Sequence, residues 1–125
     1  MRNFEVIYYV KSDGCMPIIN FLDRLPLKLQ AKAFRTMNLL AENGNALPEK
    51  HTKYIRQGLY ELRIQQGSDI VRILYFFLVG RKVILTSGFI KKSAKIPLCE
   101  LELALKFKND YLERTKPEVK NEHLF

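Results

Sequence analysis

Ten basic residues fall between positions 48 and 95 against three acids (Glu49, Glu61 and Asp69), so that stretch carries a net charge of +7. Two of its arginines, Arg63 and Arg72, sit inside apolar runs that read as strands. A guanidinium there is costly unless a carboxylate neutralises it or its face meets water. One outcome is an ion pair of Arg63 or Arg72 with Glu61 or Glu100; the other is a forked donor that grips a phosphate. Lys91 and Lys92 follow a third apolar run, and Lys50, His51, Lys53, Arg56 and Lys95 flank these segments. Cations gathered in this way favour a polyanion, because they gain affinity by displacing counterions from phosphates. RNA carries its own nucleophile, the 2′-hydroxyl. Cutting it requires aligning that hydroxyl, removing its proton and stabilising the charge on phosphorus. Arginines supply the charge stabilisation without a metal. His51 could move a proton near neutral pH, although no neighbour in sequence orients it. Tyr54, Tyr60 and Tyr75 could stack a base, and strand packing is the competing role for each.

Positioning these groups requires strands and turns around them. Phe4, Val6, Tyr8 and Val10 alternate with their neighbours as a strand does, and Ser12-Asp13-Gly14 ends the run. Ile18, Ile19, Phe21, Leu22 and Leu25 recur at helical spacing up to Pro26. Leu29, Ala33, Phe34, Met37, Leu40 and Ala41 continue that spacing to Asn43, and Gly44 is placed as a stop. The period then changes to two. Strands are predicted over 59–65, 70–79 and 82–89, with turns at Gln66-Gly67-Ser68 and Gly80-Arg81. Residues 91–96 read as a basic loop. Pro97 opens a last helix with Leu98, Leu101, Ala104, Leu105 and Leu112 on one stripe. The expected fold is α+β. A four-stranded, mainly antiparallel sheet carries an N-terminal helical hairpin on one face and a C-terminal helix near its edge. The other face is left at least partly open, for the basic residues to line. Residues 1–114 are expected to form one domain and 115–125 a loose tail.

The chain has 125 residues and is 47% hydrophobic, enough for one core. No apolar run reaches the ~20 residues needed to cross a bilayer. The first ten residues lack the apolar centre of a signal peptide, so the cytoplasm is the default location and no membrane partner is expected. Cys15, Cys99, His51 and His123 are too few and too scattered for a structural metal site or a disulfide framework. Neither a metal nor another cofactor is expected, and both cysteines are expected to be small core residues.

Three segments in series carry a family resemblance. They are Gly58-Leu59-Tyr60-Glu61-Leu62-Arg63, then Val71-Arg72-Ile73-Leu74-Tyr75-Phe76, then Gly88-Phe89-Ile90-Lys91-Lys92 with Lys95-Ile96-Pro97. At this spacing they resemble the phage-derived, HigB-like branch of the RelE/ParE superfamily, over nearly all of residues 3–113 in element order. The resemblance implies a RelE-like fold and the toxin of a type II toxin–antitoxin pair. Such a toxin is a metal-independent endoribonuclease that cuts messenger RNA at the ribosome, stops translation and is silenced by a cognate antitoxin. By position, Arg63, Arg72, Lys91 and Lys92 become the candidate catalytic residues. Lys50, Lys53, Arg56 and Lys95 become the candidate RNA-binding set, to which His51 is added for its chemistry. RelE carries a catalytic tyrosine early in its final helix. Here Leu101 stands at that place and Tyr111 comes near the helix end, so the proton-transfer group does not carry over. Two alternatives come from other classes: a ParE-like toxin that inhibits gyrase without cutting RNA, and a catalytically inert RNA-binding module. The +7 stretch argues for RNA over gyrase, and expression without an antitoxin separates a toxin from an inert binder.

Overall fold

The computed structural model describes residues 3–91 and 95–116, the side chain of Lys91 excepted. In chain order the elements are β1 (Glu5–Tyr8), α1 (Pro17–Asp23), α2 (Leu27–Asn43), β2 (Thr52–Arg56), β3 (Leu59–Gln66), β4 (Asp69–Leu78), β5 (Lys82–Lys91) and α3 (Leu98–Arg114). The strands form one sheet in the order β1-β5-β4-β3-β2. The sheet is mixed: β1 runs parallel to β5, and the other pairs are antiparallel. The α+β class agrees with the sequence pattern, but the sheet has five strands where four were expected.

The additional strand is β2. Lys53, Tyr54 and Arg56 are exposed and only Thr52 and Ile55 are half-buried, so the apolar alternation that announces a strand is missing. An edge strand needs backbone partners on one side only and tolerates charge well. The signal that marks it is its turn. Gln57 and Gly58 both take positive φ, 53° and 80°, the geometry of a two-residue hairpin. Gly80 and Arg81 also take positive φ, in the three-residue turn between Leu78 and Lys82 that joins β4 to β5.

Alternation along the central strands builds two cores. Leu62, Ile64, Val71, Ile73 and Tyr75 face Ile18 and Leu22 of α1 and Leu29, Ala33, Met37 and Leu40 of α2. Leu59, Leu74, Phe76 and Ile84 face the opposite way, against Leu101, Ala104 and Phe107 of α3. Strand β4 lies between the two cores, and its residues 71–76 are all buried. The expected helical hairpin is looser than its name suggests. Helix α1 packs chiefly on β5 and α2 on β3, and less on each other. Gly88 permits the α1 contact, since a Cβ there would stand 2.6 Å from the Phe21 ring.

Helix α3 is not at the sheet edge, as had been expected. It lies across β4 and β5, and a cleft remains on the second face between β2 and Leu101 of α3. Its far end is tied to the strand that begins the chain. The Tyr9 ring stacks on Phe107 with centroids 4.6 Å apart, and its hydroxyl donates to Asp110 Oδ2 at 2.5 Å. Arg114 lies over the same tyrosine ring and donates Nε–H to Asp110 at 2.9 Å.

The two cysteines depart from the expected core placement: Cys15 and Cys99 are both free and exposed. Position 99 is two residues from Leu101, which puts it on the far side of a helix whose stripe turns inward. The tail expected over 115–125 overlaps the structure only at Thr115 and Lys116; the rest lies outside the described residues. Among the described residues no helix is long and apolar enough to cross a membrane.

Candidate nucleic-acid interface

Arg63 and Arg72 stand opposite each other in the β3–β4 ladder. Alternation sends both to the face that carries Glu61, two residues before Arg63. Two guanidinium groups side by side would repel, and Glu61 resolves the conflict. Its Oε2 pairs with the Arg72 guanidinium and, at 3.1 Å, with Arg63 Nε. Glu61 and Arg72 are 2% and 3% exposed, whereas Arg63 is 39% exposed. Neither buried charge is tolerable without the other. The two fates that the sequence leaves open, ion pair and exposed donor, are thus divided between the two arginines. Arg72 is committed to Glu61, and its Nε is buried without a hydrogen-bond partner. Arg63 gives Nε to the same carboxylate yet stays reachable from solvent.

A cleft of about 480 Å³ opens beside this pair, lined by Lys32, Thr36, Lys50, His51, Arg63 and Arg72 among others. The Arg63 N–H donates to the His51 carbonyl at 2.8 Å, which carries the β2–β3 ladder one step further and fixes the two residues as neighbours. The sequence offers His51 no local orienting partner; the fold supplies the surroundings. Desolvation first, and then the charges of Lys50 and Lys32, hold the imidazole below its ordinary 6.5. It is therefore neutral at neutral pH and able to accept a proton. Lys32 is the residue that sequence reasoning missed. It belongs to α2, far from the basic stretch, and its one signal is the helical spacing of Lys28, Lys32 and Arg35.

Two further clefts continue along the sheet edge. One, of about 470 Å³, is lined by Glu49, Thr52, Lys53, Tyr54, Tyr60 and Arg63. The next, of about 350 Å³, has Lys53, Arg56, Glu61 and Lys95 around an apolar floor of Ile55, Ile96 and Leu101. Arg63 is common to the first two clefts, and Lys53 and Tyr54 to the last two. The fold thereby gathers Lys50, His51, Lys53, Arg56, Arg63 and Lys95 along one edge. The backbone of Lys91 pairs with Ile70, two residues along β5 from the Phe89 that pairs with Arg72. The side chain of Lys91 and the whole of Lys92 lie outside the described residues. Leu101 is buried, 5% exposed, so the place of the RelE tyrosine is an apolar contact with the sheet. Tyr111 packs edge-on against Phe76 with centroids 6.0 Å apart. Tyr75 belongs to the core: burial pushes its hydroxyl up to about 12, and that hydroxyl is bonded to Thr52. Among the described residues no group of three or more histidine, cysteine or acidic side chains is placed to hold a metal ion.

Fold and surface define a class: a small α+β domain with helices on both faces of a mixed sheet and a cationic groove along one edge. Residues 20–109 match the family model described as phage derived protein Gp49-like (DUF891). That match spans most of the chain, and the chain belongs to this family of phage-derived, RelE-like toxins associated with toxin–antitoxin systems. Membership implies an antitoxin partner. Among curated proteins no sequence matches this chain at a significant level.

Proposed function

We propose that this protein is the toxin of a HigB-like pair and acts as a metal-independent endoribonuclease that cuts messenger RNA on the ribosome. The observation that carries the proposal is Arg63, braced by Glu61, half-exposed, and adjacent to a His51 that is neutral at neutral pH. In this reading the scissile phosphate sits on Arg63, with Lys50 and Lys32 adding positive field. His51 removes the 2′-hydroxyl proton, the 2′-oxygen attacks phosphorus, and the 5′-oxygen leaves with a proton from solvent. The products are a 2′,3′-cyclic phosphate and a free 5′-hydroxyl. Arginine acts where charge accumulates, so it stabilises the transition state more than the ground state. Arg72 supports the geometry from below by holding the carboxylate that orients Arg63. Lys53, Arg56 and Lys95 hold the flanking backbone.

The test is to map cleavage ends on ribosome-bound message with wild type beside Arg63→Ala. Losing one charge-stabilising donor costs roughly 100- to 1,000-fold in kcat. Wild type should yield discrete new ends, and Arg63→Ala should lose them while remaining folded. Growth arrest with intact message and inhibited gyrase would favour the ParE-like alternative. Binding without cleavage or arrest would leave an inert RNA-binding module.

A further inference from the structure

The middle of the basic edge is aromatic. Tyr54 is 54% exposed on the edge strand β2. It is nevertheless held in place. Its hydroxyl accepts the Gly58 N–H at 3.2 Å, and its ring meets Tyr60 at 5.1 Å with an interplanar angle of 73°. Tyr60 in turn stacks on Tyr75 at 5.5 Å and 21°, and the Tyr75 hydroxyl is tied to Thr52. The ring is thus fixed at two points while more than half of the residue's surface stays open. Cations flank it on both sides. Tyr54 shares one cleft with Arg63 and the next with Arg56, and Lys53 lines both.

A row of cations interrupted by an exposed, preset aromatic ring suits one kind of ligand. Charges follow a phosphate backbone, and the ring takes a base that is not already stacked in a duplex. An aromatic needed for packing alone would gain more by turning inward, as Tyr75 does. We propose that Tyr54 is a base-stacking platform for single-stranded RNA, seating a nucleobase next to the phosphate held by Arg63. This rests on the proposed RNA cleavage and adds to it a subsite for a base.

The experiment uses short single-stranded RNAs made uncleavable by 2′-methoxy groups, with 2-aminopurine at successive positions. Each is titrated at low salt with full-length wild type, Tyr54→Ala, Tyr54→Phe and Arg63→Ala, the fold being checked by circular dichroism. Wild type should quench the probe strongly at one position. Tyr54→Ala should lose that quench and bind roughly 5- to 150-fold more weakly, the worth of one stacked base. Tyr54→Phe keeps the ring and its contact with Tyr60 while losing only the tie to Gly58, so it should retain the quench. Wild-type affinity and quenching in Tyr54→Ala would overturn the stacking proposal, while Arg63→Ala in the same series reports on the phosphate site independently. If Arg63→Ala binds normally but Tyr54→Ala does not, the platform stands and Arg63 does not hold the phosphate of the bound ground state. If wild type binds no RNA, the platform falls, and cleavage-end mapping on ribosome-bound message judges Arg63 separately.

Discussion

Replacing Glu61 by Gln removes one negative charge from beneath two arginines, and Arg72 carries most of the consequence. Both members of that pair are almost fully buried, at 2% and 3% exposure, so solvent is poorly placed to replace the carboxylate's charge. Removing one partner of such a pair costs about 3–5 kcal/mol, because the remaining charge is left uncompensated. That is a large share of the roughly 5–15 kcal/mol that holds a domain folded. For a chain of this length it corresponds to a fall of about 10–25 °C in Tm. Thermal unfolding followed by circular dichroism measures it directly. Two companions isolate the cause. Arg63→Ala should cost only ~0–1 kcal/mol, since Arg63 is 39% exposed and its ion pair is screened by water. Glu61→Leu combined with Arg72→Met should recover most of the loss, since apolar groups of similar volume often replace a buried ion pair without penalty. A Glu61→Gln protein that melts within a degree or two of wild type would refute the bracing role. So would a double variant no more stable than Glu61→Gln alone.

Cleavage should follow the neutral form of His51. The rate should fall below a midpoint lying under 6.5, and Lys32→Ala should move that midpoint upward by removing one repelling charge; an acid limb that persists unchanged in His51→Gln would exclude His51 as the base. Gly88→Ala places a Cβ 2.6 Å from the Phe21 ring and should cost about 1–3 kcal/mol in denaturant unfolding, partly restored by adding Phe21→Leu. An unchanged unfolding midpoint would mean that α1 shifts freely on β5. The Asp110 carboxyl is held below its ordinary 3.8, first by the Tyr9 hydroxyl and then by Arg114. Its contribution to stability is therefore complete above that value and lost as pH falls through the lower folded one. Tyr9→Phe should flatten the acid limb of Tm against pH, and an identical limb in both proteins would count against this tie.

Local chemistry was legible in the residues. Helical spacing of Leu29, Ala33, Met37 and Leu40 marked α2, and strict alternation placed Leu62 and Ile64 opposite Glu61 and Arg63, as the two cores confirm. The Gly67 and Gly80 turns and the apolar run of β4 were equally visible, because period and turn preference depend on neighbours in the chain. The basic stretch and the family membership belong to the same level. Edge strand β2 escaped because it buries too little to leave a pattern, and its partner β3 alone makes it a strand. The choice between Arg63 and Arg72 as the one left reachable depended on how deeply each lies beside Glu61. Lys32 joins His51 only because α2 lies across β3. Cys15 and Cys99 are small enough for the core but fall on outward-facing positions, and Leu101 fills the place of a tyrosine because α3 turns it onto the sheet. Burial and through-space charge are set by segments distant in sequence, so only the tertiary structure could decide them.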